Sequence, residues 1–123
     1  MNPTTNKTIF SSFVNAFRGI WVALKESRNL KIHILGAIVA TSLAVYVGIN
    51  MAEWAILVFL MATIMFAELM NSAIENIENV LRDKAGVDYA FTGKAKDIGA
   101  GAVLVLAIAS VIVGYLIFVP KIF

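Results

Sequence analysis

Residues 98–119 read IGAGAVLVLAIASVIVGYLIFV, 22 positions without a charged side chain. A helix needs roughly 20 apolar residues to cross the hydrocarbon core of a bilayer. This stretch alone therefore predicts a membrane span. Working outward, residues 54–74 (WAILVFLMATIMFAELMNSAI) form another, uniformly apolar as far as Ala67 and then carrying Glu68, Asn71 and Ser72. Residues 32–49 (IHILGAIVATSLAVYVGI) form a third, with His33 as the one ionisable group near an end. The link Gly48–Glu53 is short, so the spans on either side of it are predicted to be antiparallel neighbours. None of the three sits at the N-terminus behind a short basic region, as a cleaved leader would.

The composition agrees. Of 123 residues, 60% are hydrophobic and 15% charged, against roughly 45–50% and 25% in a soluble domain. A disordered chain is excluded by this apolar content. Zero Cys excludes a disulfide framework, and a lone His leaves no ordinary zinc site. With three spans, the N-terminus and residues 75–97 share one side. That side carries Lys7, Arg18, Lys25, Arg28, Lys31, Arg82, Lys84, Lys94 and Lys96, and the other side only Lys121. The asymmetry predicts a cytoplasmic N-terminus. The net charge of +2 reads as a topology signal, not a nucleic-acid footprint.

The chain is read as one domain, 1–123. A surface helix covers about 8–29, spans cover about 31–49, 53–74 and 97–119, and a cytoplasmic extension and loop cover about 75–96. In the surface helix, Ile9, Phe10, Phe13, Phe17, Ile20, Trp21 and Leu24 recur at three- and four-residue steps. Such a face suits either the membrane interface or packing on the chain's own bundle. Residues 82–93 (RDKAGVDYAFTG), with two Gly and clustered charges, read as a loop, and Pro120 as the end of the last span.

Glu68 asks for an explanation, because a carboxyl inside a span is costly without partners or water. At about 100° per residue, Glu75 falls about 20° from Glu68, two turns on, with Asn71 between them. Glu78 and Asn79 continue the stripe toward the cytoplasm. The plain alternative is a Glu68 paired with an interfacial base. Lys94-Ala95-Lys96-Asp97 precedes the last span, where ammonium groups and free backbone N–H groups at a helix start suit phosphate. The plain alternative there is anchoring to the cytoplasmic face. Gly99 and Gly101, with Ala95, Ala100 and Ala102, allow close helix approach that would bring this end near the Glu68–Glu75 stripe. Carboxyls, an amide and lysines at one depth are the inventory for phosphoryl transfer to a hydroxyl at the membrane surface. A P-loop and the HRD and DFG motifs are absent.

ELMNSAIENIENV (68–80) followed by KAKDIGAGAVLV (94–105), on a three-span chain of this length, resembles the small integral-membrane lipid kinases of bacteria. These are the prokaryotic diacylglycerol kinase and undecaprenol kinase family. E-[LI]-x-N-[ST]-A-I-E and A-K-D at this spacing carry the resemblance. SFVNAFRGIW (12–21), RNLKIH (28–33) and IFVPK (117–121) lean toward the undecaprenol kinase branch, and GKAKDIG (93–99) toward the diacylglycerol kinase form. The resemblance implies an all-α homotrimer in the bacterial cytoplasmic membrane, with active sites shared between subunits. It implies ATP and Mg²⁺ as cosubstrate and cofactor, a lipid alcohol as acceptor and a place in phospholipid metabolism. Residue by residue, it implies Glu68 as general base and Asn71 as a positioning group. Glu75 and Glu26 would serve the metal, and Glu75, Lys94, Lys96 and Asp97 the nucleotide. Where the family has E-R-N, this chain has Ser27 before Arg28-Asn29, and the acid falls one residue earlier, at Glu26. Undecaprenol is the leading acceptor and diacylglycerol the alternative. A non-catalytic membrane scaffold ranks lower, since it has no need of Glu68. A channel subunit ranks lower still, since the midplanes offer only Ser110 and Thr63.

Overall fold

The computed structural model describes residues 8–123. Among them it contains four helices and no strand: α1 (Ile9–Glu26), α2 (Arg28–Val47), α3 (Met51–Asp83) and α4 (Tyr89–Ile122). α2, α3 and α4 are each long and apolar enough to cross a membrane. Lys7, one of the bases used for topology, lies outside the described residues.

Local chemistry sets each boundary. Thr8 caps α1 by accepting from the Ser11 N–H at 3.1 Å. Ser27 ends α1 and starts α2: its N–H donates to the Ala23 carbonyl at 2.8 Å, and its Oγ accepts from the Leu30 N–H at 3.1 Å. Serine is among the better N-caps, so the residue standing in the E-R-N motif does a backbone task here. Gly48 closes α2 at φ 71°, a conformation that costs a Cβ-bearing residue strain. Asn50 and Glu53 open α3 with reciprocal side-chain-to-backbone bonds of 2.9 and 3.1 Å.

α3 has 33 residues and α4 has 34. At 1.5 Å per residue each is about 50 Å long. That exceeds a hydrocarbon core of about 30 Å, whereas the 20 residues of α2 just match it. The α3–α4 hairpin therefore continues well beyond the membrane at one end. α4 is the main partner of α3 and α2 the second, while α1 touches α2 and α3 lightly. At the opposite end, Ala44, Ile49, Leu57 and Ile117 form a buried cluster under Trp54 and Phe118. Lys121 Nζ lies 3.2 Å from Glu53 Oε1 beside it. Phe59, Phe66, Leu104 and Val111 point outward, which is tolerable where the solvent is lipid.

Two expectations about boundaries are corrected. The loop read over 82–93 is much shorter: α3 runs to Asp83 and α4 starts at Tyr89. Gly86 takes the left-handed turn at φ 68°, and Asp88 caps α4 through the Ala90 N–H at 3.2 Å. Gly93 is not a breaker, since the Tyr89 ring lies over it and leaves no room for a Cβ. Pro120 does not close α4, which runs on to Ile122 with Phe123 N–H bonded to the Val119 carbonyl at 3.0 Å. So close to the helix end, a missing N–H removes only one bond.

No residue of α1 is buried, and Phe10, Phe13, Phe17 and Trp21 are exposed. Of its two sequence readings, this favours the aromatic face resting in the membrane interface over packing on its own bundle. Lys25 Nζ sits 5.1 Å from the Trp21 ring centre, a cation–π contact one helical turn apart.

Candidate functional site

The polar stripe of α3 points inward. Glu68 is 1% exposed and Asn71 5%, so both are enclosed by α2 and α4 even within a single chain. A helix bearing an acid three residues before an amide puts both on one face. α4 closes over them because position 99 has no side chain. A Cβ there would lie 2.6 Å from Asn71 Oδ1 and 3.3 Å from Ile74 Cδ1. Gly99 is thus the point of close approach, whereas Gly101 faces open space and contributes none.

Glu68 has one partner, and the sequence reading did not include it. His33 Nε2 on α2 lies 3.3 Å from Glu68 Oε1. The other oxygen, Oε2, is buried with no hydrogen-bond partner among the described residues, and so is Asn71 Oδ1. Buried acceptors are nearly always satisfied. Two left open three residues apart make this stretch of α3 the candidate site. No Lys or Arg pairs with Glu68 among the described residues, so the plain alternative of a Glu68 paired with a base survives only in the form of His33. His33 was legible only as the single ionisable group of its span. Its partner is 35 positions away, and a contact at that separation leaves no local pattern.

His33 also lies at one end of an apolar cavity of about 200 Å³ between α2, α3 and α4. Gly36, Ala40, Leu57, Ile64 and Gly114 contribute its walls.

Further along the stripe, Glu75 is half-buried. Glu78, which the sequence placed on the stripe without a role, is 3% exposed. Its Oε1 accepts from Thr92 Oγ1 at 3.1 Å and from Arg82 Nη1 at 3.3 Å. This carboxyl is fully engaged and ties the α3–α4 hairpin together.

The Lys94–Asp97 cluster is divided by the helix that carries it. Because α4 begins at Tyr89, these residues are inside the helix and not at its start. Their N–H groups fall beyond the first turn and serve the helix itself. The expectation of free N–H groups for phosphate at this point is therefore corrected. Lys96 falls on the line of Thr92, Gly99 and Val103, which are buried and mark the face toward α3. Lys94 and Asp97 instead line a shallow groove with Tyr89 and Gly93. Of the three, only Lys96 is brought toward the Glu68–Glu75 stripe, and it is half-buried there.

Glu26 is the last residue of α1. Helical spacing puts it about 20° from Gly19 and Asn15 and about 40° from Val22. Asn15, Gly19 and Val22 line a groove against Ser72 and Asn76 of α3. Glu26 is exposed. No group of three or more His, Cys, Asp or Glu is arranged to hold a metal among the described residues.

Residues 14–118 match the family profile described as prokaryotic diacylglycerol kinase. The chain is 38% identical to an undecaprenol kinase of Bacillus subtilis strain 168, over 91% of this chain and 89% of that one. It is 34% identical to a diacylglycerol kinase of Synechocystis sp., over 89% of this chain and 61% of that one. With a diacylglycerol kinase of Escherichia coli K12 the identity is 29%, over 87% and 88%.

Proposed function

The chain belongs to the prokaryotic diacylglycerol kinase family and is a membrane lipid kinase, and on that premise we propose that its acceptor is undecaprenol. The support is the undecaprenol kinase from Bacillus subtilis, which exceeds the two diacylglycerol kinases in identity. Diacylglycerol is the alternative acceptor, favoured by the same two kinases.

The observation that supports the site is the buried Glu68 with Oε2 unpartnered beside Asn71 Oδ1. The lipid hydroxyl enters from the bilayer, donates to Oε2, and attacks the γ-phosphorus of ATP. A bond forms between the lipid oxygen and phosphorus, the bond from phosphorus to the bridging oxygen of ADP breaks, and the proton passes to Glu68. Phosphoryl transfer needs little else beyond positioning and charge neutralisation. Asn71 orients the hydroxyl. Lys96 faces the phosphates from α4, with Lys94 and Asp97 meeting the nucleotide from the outer groove. The apolar cavity that begins at His33 gives the lipid chain a place beside the base.

Mg²⁺ characteristically binds through one or two carboxylates together with substrate phosphates. The scattered acids of this chain fit such a shared site better than a cage of their own. Glu75 and Glu26 would hold the ion, which supplies neutralisation of phosphate charge. α1 ends at Glu26 and the chain turns through extended Ser27 into α2, and that break in the helix is what would let this acid serve the ion despite the shifted motif. The assembly is a homotrimer in the bacterial cytoplasmic membrane, its N-terminus cytoplasmic, with the whole chain as one domain.

The test is purified protein with ATP and Mg²⁺, given undecaprenol and diacylglycerol side by side. Faster phosphorylation of undecaprenol is expected. Preference for diacylglycerol replaces the acceptor assignment, and no product from either lipid overturns the kinase reading of this chain.

A further inference from the structure

The sequence contains a single histidine, and the fold spends it on the one carboxyl that is enclosed in the membrane. His33 Nε2 lies 3.3 Å from Glu68 Oε1. We propose that His33 is a positioning residue: its Nε2–H donates to Oε1 and thereby holds the Glu68 carboxyl so that Oε2 faces the lipid hydroxyl. The inference rests on the kinase reading above and adds a residue to it.

Three observations converge on this role. The two oxygens of Glu68 are unequal, with Oε1 engaged by His33 and Oε2 unpartnered although buried. A carboxyl free to rotate about its last bond would exchange these oxygens, since such terminal torsions are broad. A donor on one oxygen removes that freedom. Second, His33 is fixed from below. It stands at the second turn of α2, five residues after Arg28, the first residue of that helix. The N-terminus of α2 is set by the Ser27 cap and by buried Leu30. The ring is therefore carried on a rigid element. Third, His33 also lines the apolar cavity. It touches both the base and the space proposed for the lipid chain. No proton passes through His33 in this scheme. The proton of the hydroxyl goes to Oε2.

Two variants and one spectroscopic measurement test this, all on the full chain in lipid vesicles with ATP and undecaprenol. His33→Leu removes the donor and keeps apolar bulk. Its kcat is expected to fall roughly 10- to 100-fold, the scale of a misplaced catalytic group, with KM for both substrates unchanged. His33→Gln keeps an amide N–H at similar reach and is expected to recover most of the lost kcat. A wild-type kcat in His33→Leu, or a His33→Gln no better than His33→Leu, overturns the proposal. The third readout does not use activity. With one histidine in the chain, ¹⁵N-histidine labelling gives one Nε2 resonance, and Glu68→Gln should move it. An unmoved resonance refutes the contact. If wild-type protein phosphorylates neither lipid, the kinase reading fails while this resonance still decides the His33–Glu68 pair. If wild type is active and His33→Leu equals it, the positioning role alone fails.

Discussion

Glu68 and Glu78 are both carboxyls of α3, both nearly inaccessible, and ten positions apart on a single helix. Their surroundings differ. Glu78 takes hydrogen bonds from Thr92 across the hairpin and from Arg82 one turn on. Glu68 has His33 on one oxygen and nothing on the other. A buried group whose bonding capacity is met holds the fold together. A buried group kept partly unmet carries a standing cost, and such a cost persists where a ligand completes the set. The contrast separates a structural acid from a working one inside what looks like one continuous polar stripe.

The largest effect is expected from Glu68→Gln. Loss of the general base should lower turnover by roughly 100-fold or more, while assembly and thermal stability in detergent stay as in wild type. Turnover close to wild type would erase the distinction. Gly99→Ala comes next. Its new methyl would fall 2.6 Å from Asn71 Oδ1, so α4 must retreat or Asn71 must turn. Turnover should drop by roughly tenfold or more, as misplacement of reacting groups does. Gly101→Ala, with nothing within 4 Å of its Cβ, should leave turnover alone. Equal losses at the two glycines would deny the close approach any role.

Glu78→Ala is expected to show the opposite profile from Glu68→Gln. It leaves Thr92 without its partner and should cost about 1–3 kcal/mol of stability, read by thermal denaturation in detergent, with kcat per folded molecule retained. A selective loss of kcat would move Glu78 into the site. The smallest effect belongs to Arg82→Ala. Arg82 is exposed, so removing its pair with Glu78 should lower the melting temperature less than Glu78→Ala does, and less still at high salt.

Glu68 was legible in the sequence because it interrupts an apolar run, and a carboxyl there has no cheap explanation. The burial of Glu78 was not, although the residue lay on the same stripe, because an acid beyond the apolar run needs no partner to be explained. What buries Glu78 is Thr92, 14 positions on and across a turn. The loop over 82–93 was overestimated for a related reason. Glycine and charge mark a break equally well at Gly86, which needs positive φ, and at Gly93, which needs room for the Tyr89 ring. Lys94, Lys96 and Asp97 form one cluster as text, but successive residues on a helix diverge by about 100°, and only Lys96 turns toward α3.

The linear sequence by itself determined that this is a three-span helical membrane protein, which ends belong together, and where along α3 a costly acid sits. Those properties depend on hydropathy, charge count and helical period, all of which are local. Only the tertiary structure decided which acid is satisfied and which is open, that His33 meets Glu68, and that Gly99 seals Asn71 beneath α4. Each of these depends on which face one helix turns to another. Burial and hydrogen bonding between distant residues are properties of that packing, and no window of the sequence contains them.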